Sequence, residues 1–521
     1  MSTTPKKPKQ GSDCSQNQAV FTRSVDLDGL EKLKNIDGLN GLQEEGKLSY
    51  FDLTLLHELN PVRYPFLLES VAKGGLGSFD ILFAYPQETL QLNDSSDKTS
   101  FLEQVTETFE GNRVAKADVL NAHGTALPFT GGWYAYFSYD YAQVVEPTLI
   151  LPKSEFPLAV MTRIPAAVMI DHKNSALTLM AESGFEGCLD EMQADIQQVV
   201  KLQVKQQQAK KQQSSSPFHS SVPNTKAVYY EQATEEPEQK YLTGVDAIKE
   251  YILSGDVFQV NLSRQWQVTL EKSTDYLDVY RALRKSNPAP FAALAIMQDA
   301  QGAAWQVISS SPERLVKYQS PWVETRPIAG TRKRGPSLEA DKALIEELIS
   351  HPKERAEHIM LIDLERNDLG RICQPGTVEV NELMAIESYE HVHHIVSNVR
   401  GKLQDGLSPL DIIHALFPGG TITGCPKIRC MEIVAELEQM PREAYTGSLG
   451  YINRDGSLDL NILIRTMVQS ERAGVPTVQF RAGAGIVADS EAQSELTETR
   501  HKAKGLVNAL TAKPVTTASG N

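Results

Sequence analysis

The chain has 521 residues, 51 Lys and Arg against 66 Asp and Glu, and a net charge of −15. That acidic balance, with no basic run, argues against nucleic acid or an anionic membrane as partner, and the length suits about two to four domains or one large interleaved unit. Five scattered cysteines (Cys14, Cys188, Cys373, Cys425, Cys430) without a CxxC, a start with no apolar core of a signal peptide, and no stretch near the roughly 18 apolar residues of a membrane span predict a soluble cytoplasmic protein.

Residues 1–18 are polar and are expected to be disordered. In the N-terminal region, 19–204, residues 61–68 lead into Glu69-Ser70-Val71. After Gly74, Gly75 and Gly77, residues 79–86 (FDILFAYP) read as a strand. Residues 101–110 read as a helix, and 128–142 as a Gly-Gly turn with an aromatic-rich strand. Residues 166–183 form a predicted hairpin around His172-Lys173-Asn174, and 186–204 a helix. Residues 205–226, rich in Gln, Lys and Ser, read as a linker or long surface loop.

The C-terminal region, 227–513, alternates helix and strand ahead of a tail, 514–521, expected to be disordered. Helices are predicted over 239–253, 273–286, 338–350, 351–371, 409–417 and 425–440. Strands are predicted over 256–270, 291–297, 305–318, 392–403, 448–452, 458–468 and 478–488, before a last helix with Glu495 and Glu498. The mixture predicts an α+β fold with large, mostly antiparallel sheets flanked by helices.

The stretch 351–371 (HPKERAEHIMLIDLERNDLGR) reads as an amphipathic helix with Ala356, Met360 and Leu364 in one row. Glu354 and Glu357 share a face, and Glu495 and Glu498 repeat that spacing on the last helix. Solvated ion pairs explain one such pair alone. Two pairs together suit an all-oxygen site for a hard cation, with Mg2+ the best match. GGTITGCPK (419–427) lacks the Gly-Lys-Ser/Thr of a phosphate loop, yet a turn before a helix can hold an anion. In HVHH (391–394), strand alternation puts His393 and His394 on opposite faces, so spacing makes no chelate. There is no Gly-x-Ser-x-Gly elbow and no cysteine in a glutaminase-type turn.

Together GDVFQVNLSR (255–264), SPERL (311–315), RPIAGTRKRG (326–335), AEHIMLIDLERNDLGR (356–371), FPGGTITGCPK (417–427), GSLGY (447–451), IRTM (464–467) and GAGIVADS (483–490) resemble the chorismate-utilising enzymes. The resemblance is strong over about 230–510. It implies a layered chorismate-binding fold of two β-sheets with surrounding helices, Mg2+ as cofactor and chorismate as substrate. It further implies Glu357 and Glu498 as metal ligands, with Glu354 and Glu495 beside them. Tyr445, Arg465, Lys502, Gly483 and Gly485 would hold a substrate carboxylate. Glu313 and His394 would be the acid and base, with Thr421 in the anion-holding turn. Gln259, Ala329 and Thr331 would complete the substrate site.

Gln259 stands where water-using relatives typically carry Lys, which suits relatives that use ammonia. The resemblance then implies ammonia from a separate glutaminase subunit. Two branches compete. RYPFLLESVA, NPAPFAA, VHH and TGSLGY resemble the para-aminobenzoate branch (aminodeoxychorismate synthase component I), whereas Ala329 in PIAGT resembles the anthranilate branch. The first is favoured. Ser70 marks either a tryptophan pocket or a strand edge without ligand. A non-catalytic small-molecule sensor on the same fold is disfavoured, because the acids and His394 are all present.

Overall fold

The computed structural model describes residues 20–25, 51–72, 78–116, 118–213, 226–389 and 392–512. The expected disordered ends, Gly74, Gly75, Gly77, His391 and positions 214–225 of the expected linker lie outside the described residues. The linker expectation fails at its start. The helix Gly187–Gln213 runs on through the Gln- and Lys-rich stretch. Gln and Lys are good helix formers, so a composition that reads as a linker also extends a helix whose earlier turns are anchored in the core.

Alternation sets the strands. Gln259–Leu270 forms β1, with Val260, Leu262, Trp266, Val268 and Leu270 buried at alternate positions. Ile328–Lys333 forms β2. Leu338–Ser350 forms helix α1, capped by the Ser337 side chain, which accepts the Ala340 N–H. Pro352–Gly370 forms α2, with Pro352 in its first turn. Then follow β3 (Val392–Lys402) and α3 (Lys427–Glu438), which stops at Gln439 in the left-handed region. The chain closes with β4 (Leu458–Asn461), β5 (Thr466–Arg472), β6 (Val475–Ile486) and α4 (Ala492–Asn508).

These elements build two sheets. The 13-stranded sheet runs from Val20–Val25 through the hairpin Ala166–Asp171 and Ala176–Glu182 to Phe79–Ala84 and Phe66–Glu69. It continues through Phe291–Gln298, Ala304–Ser311, β5, β6, β1, Tyr229–Glu235 and Thr511–Ala512, with Gly424–Cys425 also paired to β1. Its pairs are antiparallel except that of Tyr229–Glu235 with Thr511–Ala512. The 10-stranded sheet runs β2, β3, Trp322–Thr325, Arg314–Gln319, β4, Ser448–Asn453, Gly132–Phe137, Ala159–Ile164 and Thr89–Leu92, with Glu379–Ser388 also paired to β3. Each sheet takes strands from both sides of the 205–226 stretch. Phe66–Glu69, for example, pairs directly with Phe291–Gln298.

The sheets face each other across an aromatic core. Phe66 stacks on Tyr134 with centroids 3.9 Å apart, and Tyr136 meets Trp305 edge-on at 5.4 Å. Helices cover both outer faces, giving four layers. The α+β architecture of two large antiparallel sheets is therefore as the sequence predicts.

Two predicted strands are broken. Residues 305–318 divide at Pro312-Glu313, with Ala304–Ser311 in one sheet and Arg314–Gln319 in the other. Residues 458–468 divide between β4 and β5, and Arg465 takes a φ of 52°. Leu460, Asn461, Ile462 and Leu463 are buried in succession, because a segment crossing between packed sheets has no solvent side. The buried stripe of α2 also differs from the predicted row. His358, Leu361, Ile362, Glu365, Asp368 and Leu369 are buried, whereas Ala356 is exposed and Met360 and Leu364 are half-buried.

Candidate functional site

The two crossovers lie side by side. Ile462 N–H donates to the Glu313 carbonyl at 3.0 Å, Ser311 Oγ to the Ile462 carbonyl at 2.5 Å, and Ser310 N–H to the Arg465 carbonyl at 3.0 Å. Glu313 and Arg465 are thus fixed where the chain steps from one sheet to the other. Burial pushes the Glu313 carboxyl up to about 7, against the opposing pull of the nearby Thr421 hydroxyl, the Ile328 N–H and Lys502. It is 6% exposed, and its Oε1 has no hydrogen-bond partner among the described residues. A carboxyl in this state holds a proton near neutral pH and gives it up readily.

His394 approaches from β3. Its Nδ1 is hydrogen-bonded with Thr331 Oγ1 of β2 at 2.8 Å, a contact set by the pairing of those two residues. Burial first, then the charge of Arg465, lowers the imidazole to about 4, so it is neutral at neutral pH. His393 faces the other way, 2.9 Å from Asp341, as strand alternation predicts. Arg465 has no carboxylate partner among the described residues, a rare state for a half-buried guanidinium.

The floor is β1 and β6. A Cβ on Gly483 would lie 2.8 Å from both Tyr445 Oη and Asn261 Oδ1, and one on Gly485 would lie 2.2 Å from Gln259 Nε2. These glycines let Tyr445 and Gln259 lie down on the sheet. Asn261 ties the floor to the 419–423 turn by donating from Nδ2 to the Ile422 carbonyl at 2.9 Å. Buried Thr421 Oγ1 and Gln259 Oε1 also lack hydrogen-bond partners among the described residues. Ala329 is buried on β2 opposite Ile395, and its methyl offers no nucleophile.

The four expected metal carboxylates lie on two helices, Glu354 and Glu357 on α2 and Glu495 and Glu498 on α4, and two of them hold cations of the chain itself. Among the described residues no three His, Cys, Asp or Glu side chains group as a metal site. Glu354 pairs with Arg332 at 2.6 Å, and Glu498 with Lys502 at 2.7 Å, so the Lys502 ammonium lies on a carboxylate of its own helix. The Glu498–Lys502 pair is the i,i+4 contact that helical spacing allows, whereas the Glu354–Arg332 pair joins α2 to β2 and is set by the fold. Glu357 and Glu495 also have interacting partners. Glu354 Oε2 is nevertheless buried without a hydrogen-bond partner, beside Gly330, and carboxylate oxygens are the donors a hard divalent cation takes.

Ser70 lies elsewhere. Its Oγ donates to the Pro290 carbonyl at 2.9 Å, and its N–H to Asp80 at 2.8 Å. It lines a cavity of about 310 Å³ with Glu69, Phe291, Arg314, Tyr451 and Asp459, a lining that includes neither His394 nor Arg465.

Sequence reasoning missed three features. Asn261 reads as an ordinary polar position of an alternating strand. Glu365 falls on the buried stripe of α2, where an acid at helical spacing from Leu361, Ile362 and Leu369 was the available signal. Glu438 is fully buried between Arg442 at 2.7 Å and Arg481 at 2.9 Å, and it accepts from Ser263 Oγ and N–H at 2.8 Å. Arg442 in turn donates to the Asn261 carbonyl at 2.6 Å, so this network lies directly under the floor.

The chain is 45% identical to an "anthranilate synthase component I-like protein" of Synechocystis over 390 residues, 74% of this chain and 73% of that protein. It is 43% identical to aminodeoxychorismate synthase component 1 of Bacillus subtilis over 384 residues, 73% of this chain and 77% of that protein. Its fold matches the crystal structure of anthranilate synthase component I from Streptococcus pneumoniae with a TM-score of 0.63 at 29% identity, covering 82% of this chain and 92% of that one. The pattern of the chorismate binding enzymes matches residues 64–508. The two-sheet fold and these matches agree, and the chain belongs to the chorismate binding enzyme family.

Proposed function

We propose that this chain aminates chorismate at C4 with ammonia from a separate glutaminase subunit, giving 4-amino-4-deoxychorismate for para-aminobenzoate and folate synthesis. The observation that carries it is the grouping of charges at the crossovers. A cation without a carboxylate partner among the described residues, Arg465, stands beside Tyr445 and His394, in a site that also holds a protonated buried acid, Glu313. That combination suits a dianionic substrate losing a hydroxyl.

In this reading Arg465, Tyr445 and the Gly483 and Gly485 backbone hold the enolpyruvyl carboxylate. Glu313 gives its proton to the C4 oxygen as the C–O bond breaks, and the oxygen leaves as water. Ammonia forms the C4–N bond. The surplus proton on nitrogen passes to the neutral imidazole of His394. Thr421 closes the turn over the site, and Gln259, with Ala329 and Thr331, shapes the pocket for ammonia. Glu357 and Glu498, supported by Glu354 and Glu495, would hold Mg2+, which supplies positive charge for the ring carboxylate.

A second reading is favoured by Ala329. Without a side-chain nucleophile on β2, nitrogen at C2 followed by loss of pyruvate gives anthranilate. The Ser70 cavity then has a natural role as a tryptophan pocket. The test is to incubate the purified chain with chorismate, Mg2+ and an ammonium salt, and to separate products with mass detection. Aminodeoxychorismate without pyruvate is expected. Anthranilate with stoichiometric pyruvate would overturn the first reading.

Gly485→Ala probes the floor in either branch. Its methyl must push the Gln259 carboxamide aside. Misplacement of about 1 Å is expected to lower ammonia-dependent turnover by about 10²-fold. Steady-state rates beside a melting curve check it, since the displaced atom is the end of a flexible side chain and the fold should hold.

A further inference from the structure

Asn261 sits where the floor, the 419–423 turn and the buried charges under the floor meet. It lies on β1, paired with Gly485 of β6. Its polar groups are all committed. The backbone N–H donates to the Thr423 carbonyl at 3.0 Å, and Nδ2 donates to the Ile422 carbonyl at 2.9 Å, so backbone and side chain both hold the turn. The carbonyl accepts from Arg442 Nη2 at 2.6 Å. The carboxamide also meets the Tyr445 hydroxyl, since one Cβ on Gly483 would lie 2.8 Å from both Asn261 Oδ1 and Tyr445 Oη.

Arg442 reaches Tyr445 as well. Its guanidinium carbon is 5.5 Å from the centroid of the Tyr445 ring, and its carbonyl accepts the Tyr445 N–H at 3.0 Å. Arg442 is itself locked on Glu438. Tyr445 is thus braced at the ring by Arg442 and met at the hydroxyl by Asn261, and those two braces are joined to each other.

We propose that Asn261 is a positioning residue for the substrate, one that locks the Tyr445 hydroxyl and the 419–423 turn, with Thr421 in it, into a single register. This rests on the reading of Tyr445 as a group that holds a substrate carboxylate. The Asn261 amide has two N–H donors, and the Ile422 carbonyl uses one. The other serves the Tyr445 oxygen, which leaves the phenol proton for the incoming carboxylate. Burial raises the Tyr445 hydroxyl, while Arg442, Arg481 and a hydrogen bond from the Asn261 side chain oppose that rise. The residue type fits the task. Asn is depleted in strands, so its place in β1 carries a local cost. A carboxylate would lack the donors, and a hydroxyl has one atom, not two, to set against the turn and the tyrosine.

The test is steady-state consumption of chorismate with Mg2+ and an ammonium salt in Asn261→Ala, Asn261→Leu, Tyr445→Phe and Asn261→Ala combined with Tyr445→Phe, each beside a melting curve. Asn261→Ala is expected to raise KM for chorismate about 10- to 100-fold, the worth of one hydrogen bond to a charged group, with kcat within about threefold of the wild type. Tyr445→Phe should raise KM by a similar factor. The combined variant should be within about twofold of the worse single one, because residues that act as a unit are not additive. Asn261→Leu fills the space of the amide and reads the same loss if the truncation unfolds. Wild-type KM in either folded Asn261 variant, or factors that multiply in the combined one, would overturn the proposal and leave Tyr445 as a substrate ligand. Wild-type KM in Tyr445→Phe would overturn the reading of Tyr445 and the proposal with it.

Discussion

Glu313→Gln is expected to lower ammonia-dependent chorismate turnover by about 10² to 10⁴-fold, the range for losing a positioned general acid. The amide fills the same buried space between Ser311 and Arg314, so the crossover should fold normally. What disappears is the proton that burial holds on the carboxyl up to about pH 7. The sign follows from the role. The group works when protonated, so wild-type turnover should be high below that value and fall as pH rises through it. His394 does not mask this limb, because its imidazole is already neutral from about pH 4 upward. Rates of the two proteins between pH 5.5 and 9 check both points.

Glu438→Leu is expected to give the largest loss of stability, about 3–5 kcal/mol, because it strands buried guanidiniums without their counter-charge. Arg442 and Arg481 are 3% and 4% exposed. Burial pushes the Glu438 carboxyl up, yet Arg442 and Arg481 outweigh it and hold the group below its ordinary value. A depressed acid stabilises the fold above its unfolded value of about 4.3 and loses that contribution as pH falls through its folded one. The gap between variant and wild type should thus be full at neutral pH and narrow in acid. Urea unfolding at pH 7.5 and pH 4 measures it. Turnover should suffer too, since Arg442 braces the Asn261 carbonyl under the floor.

Where alternation or helical period had one solvent face, the elements were legible. Gln259–Leu270 and Leu338–Ser350 are examples. The breaks at Glu313 and Arg465 were not legible, because apolar residues on both sides of a crossover look like one continuous strand. Those breaks are what set Glu313 and Arg465 side by side between the sheets. Motif order pointed to Glu313, His394, Arg465, Tyr445 and the two glycines, and the crossovers and the floor bring them into one region. Pairing was only half legible. The i,i+4 spacing offers Lys502 to Glu498, but nothing in the spacing of Glu354 shows that Arg332 already occupies it. Glu365 and Glu438 were overlooked because a lone acid in an apolar pattern reads as a solvated position until packing encloses it.

In the proposed function chorismate binds at the crossovers, with Arg465 taking a substrate carboxylate. The direct measurement is the melting temperature with and without saturating chorismate and Mg2+, in the absence of ammonia, for the wild type and Arg465→Ala. A ligand that binds only the folded state at about 100 times its Kd adds about 2.7 kcal/mol. Clear protection of the wild type is expected, and little or none in Arg465→Ala at the same concentrations. Equal protection of both proteins would contradict binding at Arg465 and place the substrate somewhere other than the crossovers.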